Sequence, residues 1–260
     1  MRGRRHIVLA LCIFLLVWDS FGQVTAKDAF LRNPVSPLLS IDVPLTTALS
    51  DLGYSLKGGS YILFGTTVLL NEIGEEPRVT LNLFPGDTVQ RAIDSLAQQL
   101  PQYRWVVVSD HLMNVFPAQQ KGPDLLETRI DQFDIKSESP ANILGAPEYF
   151  IPELHEAVMS ELAATVPSGG VGYGYSYGIG EGPRMSFSFK NVTVREILNG
   201  VVEQMCKSLP PKRPPVGWVY IIKPHPTIRG ARLHSWNQHR SVSELNWEDV
   251  VAARHEDKSK

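Results

Sequence analysis

The residues able to do chemistry are few, and their spacing argues against most reactions. His155, Glu156 and Glu161 share one expected helix. A zinc helix of the His-Glu-x-x-His type needs a second histidine four positions on, and position 159 is Met. The spacing therefore predicts a solvated helix face, and no metal ligand set is expected. Four histidines, His225, His234, His239 and His255, fall near the C-terminus, with Trp236 between two of them. They support the one alternative worth carrying: an exported metal-binding protein or hydrolase that uses this His-rich tail. Gly169-Gly170-Val171-Gly172-Tyr173-Gly174 lacks the Gly-Lys-Ser/Thr ending of a phosphate loop, and an alternating strand rather than a helix follows it. No nucleotide or other cofactor is expected. The glycine run instead predicts a contact loop carrying Tyr173, Tyr175 and Tyr177, since tyrosine gives amphipathic contact area at low entropy cost. Cys206 sits on an expected helix beside Met205, which predicts a buried thiol rather than a nucleophile. No catalytic residue is expected.

Those side chains must be held by elements, and a leader is set aside first. Arg2, Arg4 and Arg5 precede the apolar run Ile7 to Trp18, and Val24-Thr25-Ala26 offers small residues for cleavage before Lys27. The run is shorter than the roughly 20 residues that cross a bilayer. Residues 1–26 are therefore expected to be a signal peptide on an exported protein, periplasmic or extracellular, with no membrane span afterwards. After cleavage Cys206 stands alone, so no internal disulfide is expected. The net charge of −2 excludes a global field for nucleic acid, and the 43% hydrophobic content suffices for a core.

An internal repeat organises the rest. Pro77-Arg78-Val79-Thr80-Leu81-Asn82-Leu83 matches Pro183-Arg184-Met185-Ser186-Phe187-Ser188-Phe189. Both alternate apolar and polar residues with the period of a half-buried strand. A helix follows each: Val89, Ala92, Ile93, Leu96 and Leu100 correspond to Val194, Ile197, Leu198, Val201 and Met205, one helical face. Thr193 and Glu196 predict a capping box; Thr88 holds the same place in copy one, with Asp87 as an alternative cap. A strand closes each copy, Tyr103 to Pro117 with a turn at Ser109-Asp110-His111, and Gly217 to Pro224. Upstream in copy one, Leu38 to Val43 reads as a strand, Leu45, Ala48, Leu49 and Leu52 as a helix face, and Tyr61 to Phe64 as the start of another strand. In copy two, Ile130 to Ile135 reads as the strand and Pro152 to Ala164 as its helix.

The fold class expected is α+β: two related βαββαβ-type modules with small mixed sheets, each packed on two helices. Module one spans residues 38–117 and a linker 118–128. Module two, with the Gly/Tyr-rich insertion, spans 129–224, and a partly disordered tail covers 225–260.

Val43-Pro44-Leu45 with Ala48-Leu49, an alternating strand, Thr88-Val89 with Ala92-Ile93 and a closing apolar strand together resemble the secretin and TonB N-terminal short domain. Phe187-Ser188-Phe189 followed by Val192-Thr193-Val194-Arg195-Glu196-Ile197-Leu198 is similar to the same family. The resemblance implies a small bacterial cell-envelope domain that binds proteins and holds no catalytic residues. The residues after copy two are too few for a pore or barrel, so the expectation is a stand-alone docking or adaptor module with a protein partner in the envelope. Strand addition is the expected contact mode, along edges carrying Arg78, Thr80, Asn82, Arg184, Ser186 and Ser188, with Tyr173, Tyr175 and Tyr177 beside them. The two arginines read primarily as charges that guard an exposed edge.

Overall fold

A computed structural model describes residues 26–56, 61–119, 124–165, 184–208, 217–222 and 232–235. The expected leader and most of the expected tail lie outside these residues. The architecture is α+β. A short helix α1 (Ala26–Leu31) leads to β1 (Leu38–Pro44), α2 (Leu45–Tyr54), β2 (Leu63–Leu69), β3 (Arg78–Leu83), α3 (Val89–Gln99), β4 (Tyr103–Val107) and β5 (Leu112–Pro117). A 3-10 turn (Leu125–Glu127) precedes β6 (Arg129–Glu138), α4 (Pro140–Gly145), α5 (Pro147–Phe150) and α6 (Pro152–Thr165). Then come β7 (Met185–Thr193), α7 (Val194–Ser208), β8 (Trp218–Ile222) and β9 (Arg232–Ser235).

Three sheets result: β1-β3, β6-β7, and a five-stranded sheet in the order β4-β5-β2-β8-β9. The last one departs from two self-contained modules. β2 pairs parallel with β5 of its own half and parallel with β8 of the other half. Its burial explains why: Leu63 to Val68 are all buried, the signature of a strand covered on both faces. Phe64, Met113 and Val115 pack into one core with Leu45, Leu49, Ala92, Leu96, Val79 and Leu81. Leu63, Leu112 and Trp218 pack into a second core with Ile143, Leu154, Ile197, Val201, Phe133 and Phe187. The described residues thus stack as sheet, helices, sheet, helices, sheet, with the five-stranded sheet in the middle.

Copy two's strand runs longer than expected, and the helix that follows it is α4, not α6. Ile143 and Leu144 take the places of Ala48 and Leu49, and all four are buried. Proline at the start of α4, α5 and α6 divides the segment into three helices, because proline suits a first helical turn and no later one. β9 falls inside the expected tail and pairs with β8 as β5 pairs with β4. The second half of the expected linker is packed structure: Leu125 and Leu126 are buried in the second core.

The caps follow the sequence. The Thr193 hydroxyl accepts the Glu196 N–H while Glu196 accepts the Thr193 N–H at 2.7 Å, a full capping box. In copy one Thr88 caps α3 by accepting the Arg91 N–H, and Asp87 instead closes the preceding turn on the Phe84 N–H.

Glycines mark where the layers touch. A side chain at Gly65 on β2 would overlap the Trp218 ring and the Asn114 amide, and one at Gly217 would overlap the Phe64 carbonyl. Gly65→Ala is therefore expected to cost about 1–3 kcal/mol by overpacking. Gly145→Ala, which meets nothing, should be neutral or slightly stabilising. Thermal melts of the two variants check the difference.

Candidate functional site

The repeated Pro-Arg strands meet their partners in the same unusual way. β1 and β6 each carry a bulge, between Ser40 and Val43 and between Ile135 and Glu138. Asp42 and Ser137 take the left-handed conformation there, at φ 47° and 55°. The Asp42 N–H donates to the Thr80 hydroxyl and the Ser137 N–H to the Ser186 hydroxyl. Arg78 donates to the Asp42 carbonyl and Arg184 to the Ser137 carbonyl. Arg78 also pairs with the Asp42 carboxylate at 2.9 Å. The recurrent arginines and hydroxyls thus hold a bulge that puts one non-glycine residue of each repeat into a conformation few side chains adopt.

The expected binding residues are accordingly engaged within the chain. Arg78, Thr80, Arg184 and Ser186 serve the bulges, and Ser188 hydrogen-bonds Asp134 across the strands, which holds that carboxyl below its ordinary range. Asn82 keeps a buried side-chain oxygen without a hydrogen bond. Tyr173, Tyr175 and Tyr177 lie outside the described residues. So does Gly174-Tyr175-Ser176-Tyr177-Gly178, whose Gly-x-Ser-x-Gly spacing corrects the expectation that this motif does not occur in the chain.

The outward edge of β3 is sealed. The Gln99 side-chain amide accepts the Thr80 N–H at 2.8 Å and donates to the Thr80 carbonyl at 2.7 Å, the two bonds a neighbouring strand would make. β6 is guarded differently, by Arg129, Asp131, Asp134, Lys136 and Glu138 along its length.

β4 has no such guard. The Ala118 N–H donates to the Gln102 carbonyl and the Val108 N–H to the Leu112 carbonyl. In an antiparallel ladder bonded pairs recur every second residue, so Arg104 and Val106 bond β5 while Trp105 and Val107 point their N–H and C=O groups away from the sheet. Val106 is 41% exposed and Val108 38%. The strand holds no proline, bulge or lysine, and Trp105-Val106-Val107-Val108 has high strand propensity. Trp105 and Val107 turn their side chains onto the first core; this edge is absent from the sequence expectation, and the run without a charge was the available signal.

Two contacts across the halves fix this edge in space. The first centres on Arg195, 5% exposed at the start of α7. It donates to Glu127 and Asp124, each at 2.7 Å, and lies over the Phe116 ring at 4.5 Å from its centre. Its guanidinium thereby ties the 3-10 turn and β5 to α7. Beside it the Trp218 indole N–H donates to Asn199 at 2.8 Å. The second is the Ser109-Asp110-His111 turn between β4 and β5. The Ser109 hydroxyl donates to Glu203 on α7 at 2.8 Å. His111 sits between Asp110, at 2.5 Å, and Glu203, at 3.8 Å, with its ring edge-on to Tyr61. Burial, with Cys206, Asp110 and Glu203 nearby, pushes the Tyr61 hydroxyl above its ordinary range. The Ser109 hydroxyl faces a carboxylate rather than the imidazole, so this group lacks the serine–histidine bond of an activated nucleophile.

Cys206 is in no disulfide among the described residues and is buried in the second core. Among the described residues no three His, Cys, Asp or Glu side chains converge in a geometry able to hold a metal ion, and no helix is long and apolar enough to cross a membrane. Of the C-terminal histidines only His234 falls in a described element, β9, and its side chain lies outside the description. The chain matches no protein-family model, no curated protein and no solved structure.

Two outcomes follow. Arg195→Met should destabilise by about 1–3 kcal/mol, because it strips a buried donor from two carboxylates; Arg195→Lys should not restore it, since an ammonium cannot form the two-pronged contact. Denaturant titration checks both. Burial raises the carboxyl of Glu148 above the ordinary glutamate range. A raised carboxyl favours the folded state fully below the unfolded value and loses that advantage as pH rises through the folded value. Glu148→Gln should therefore melt higher than wild type at pH 7, with the gap closing as pH falls into the ordinary glutamate range, as read from melts across pH.

Proposed function

We propose that this chain is an exported, non-catalytic protein-docking module of the cell envelope that takes a partner's strand along the open edge of β4. One observation carries the reading. Of the strand edges whose side chains are described, β4 alone joins a bare apolar run to backbone groups pointing outward, while β3 is sealed by Gln99. An edge of that kind is a template for another strand, and the rigid sheet behind it lowers the ordering cost of binding. The arginine-rich leader followed by a short apolar run supports export. The βαββαβ order of the first half supports the resemblance to secretin and TonB N-terminal short domains, and so a protein partner rather than a substrate.

The test uses Val107→Pro. Proline there deletes an N–H that the β4–β5 ladder does not use and places a ring on the open edge. The variant should keep the wild-type circular dichroism and melt only somewhat lower, since Val107 also packs against the first core. In an envelope extract the tagged wild-type chain should capture a protein that the folded variant does not. Equal capture by both would remove β4 from the function.

A further inference from the structure

We propose that the strand received by β4 is β4 of a second copy of this chain, paired antiparallel about a two-fold axis through Val106. The inference rests on the reading of β4 as the docking edge and names its occupant.

The backbone selects the register. Trp105 and Val107 carry the outward N–H and C=O groups. An axis through Trp105 would set Val107 against Tyr103, whose N–H already donates to the Leu100 carbonyl. An axis through Val107 would set Trp105 against Ser109, whose N–H already donates to the Leu112 carbonyl. The axis through Val106 sets Trp105 of each copy against Val107 of the other, so every outward N–H and C=O of the two residues finds a partner.

The side chains agree with that register. Val106 meets Val106 of the second copy as a non-bonded pair, the closer kind of antiparallel contact, and covers the apolar surface it now exposes. Arg104 comes opposite Val108, with Asp110 of the second copy, which also holds His111, in the turn just beyond it. Arg104 is exposed, with no ion pair among the described residues, and Asp110 is exposed at the turn. The edge thus carries its positive charge at one end and its negative charge at the other, as a two-fold, self-complementary contact requires. A foreign strand would need its own matching charge order; a second copy has it by symmetry.

Cysteine cross-linking of the full chain tests the register. Cα atoms of a non-bonded antiparallel pair lie about 4.5 Å apart, within the span a disulfide accepts. Val106→Cys should form a disulfide-linked dimer under mild oxidation and return to monomer on reduction. Ile73→Cys, far more exposed at 78% but off the edge, gives the random-collision level, as does wild type with its own cysteines. Adding Val107→Pro to Val106→Cys should drop cross-linking to that level. In sedimentation equilibrium Arg104→Asp should weaken self-association at least tenfold, and Arg104→Asp with Asp110→Arg should recover it. A wild-type chain that stays monomeric at every concentration, with Val106→Cys no better linked than Ile73→Cys, overturns the second copy as occupant. If capture of a different protein is still lost in Val107→Pro, the docking edge survives and only its occupant changes; if that capture is also unaffected, both fall.

Discussion

The described residues are arranged around one strand whose first six residues are buried. β2 is buried from Leu63 to Val68 and bonded on both sides, to β5 and to β8. A strand with both faces covered needs apolar residues on both, and the core residues of the two halves alternate along it: Phe64 belongs to one, Leu63 to the other. Gly65 in its middle is the place where the Trp218 ring comes against the backbone. The same strand therefore belongs to both repeats, and neither half can close its core without it.

That sharing decides which edges are left over. With β2 central, the five-stranded sheet ends in β4 and β9, and the two outer sheets have only two strands each. Unpaired edges attract other strands unless something blocks them. Here blocking is local and uneven: an amide on Thr80, a row of charges on β6, bulges on β1 and β6. β4 has only Arg104 of this kind, and it is held from behind. Arg195 and Glu203, both on α7 of the second half, reach the base and the turn of the β4–β5 hairpin. The edge is exposed and its hairpin is tied to α7 at both ends, the pre-organisation that the proposed docking needs.

Much of the fold could be read from the residues, and the failures have physical causes. The alternation at 79–83 and 185–189 and the helical spacing from Val89 and Val194 mark β3, β7, α3 and α7 because burial on one face leaves a period in the sequence. The capping box at Thr193 could be read because it is local. Arg78 and Arg184 were read as outward charges: alternation gives the side a residue faces but not a bulge on the opposing strand. β2 was taken as one strand of one module, since pairing with β8, some 150 residues later, leaves no local trace. The helix after β6 was misplaced onto α6 because α4 is too short to show a period. The expected contact edges lie on the repeated strands, whereas the bare edge of β4 follows from sheet order, which only the assembled chain displays.

The central claim, that two repeats form one body around β2, is tested most directly by native-state hydrogen exchange. If the core is shared, amides of β2, β5, β8, α3 and α7 exchange together, all with the free energy of global unfolding. Amides of β8 and α7 opening at distinctly lower free energy, while α3 and β5 remain protected, would mean that the second half unfolds by itself and would contradict a shared core.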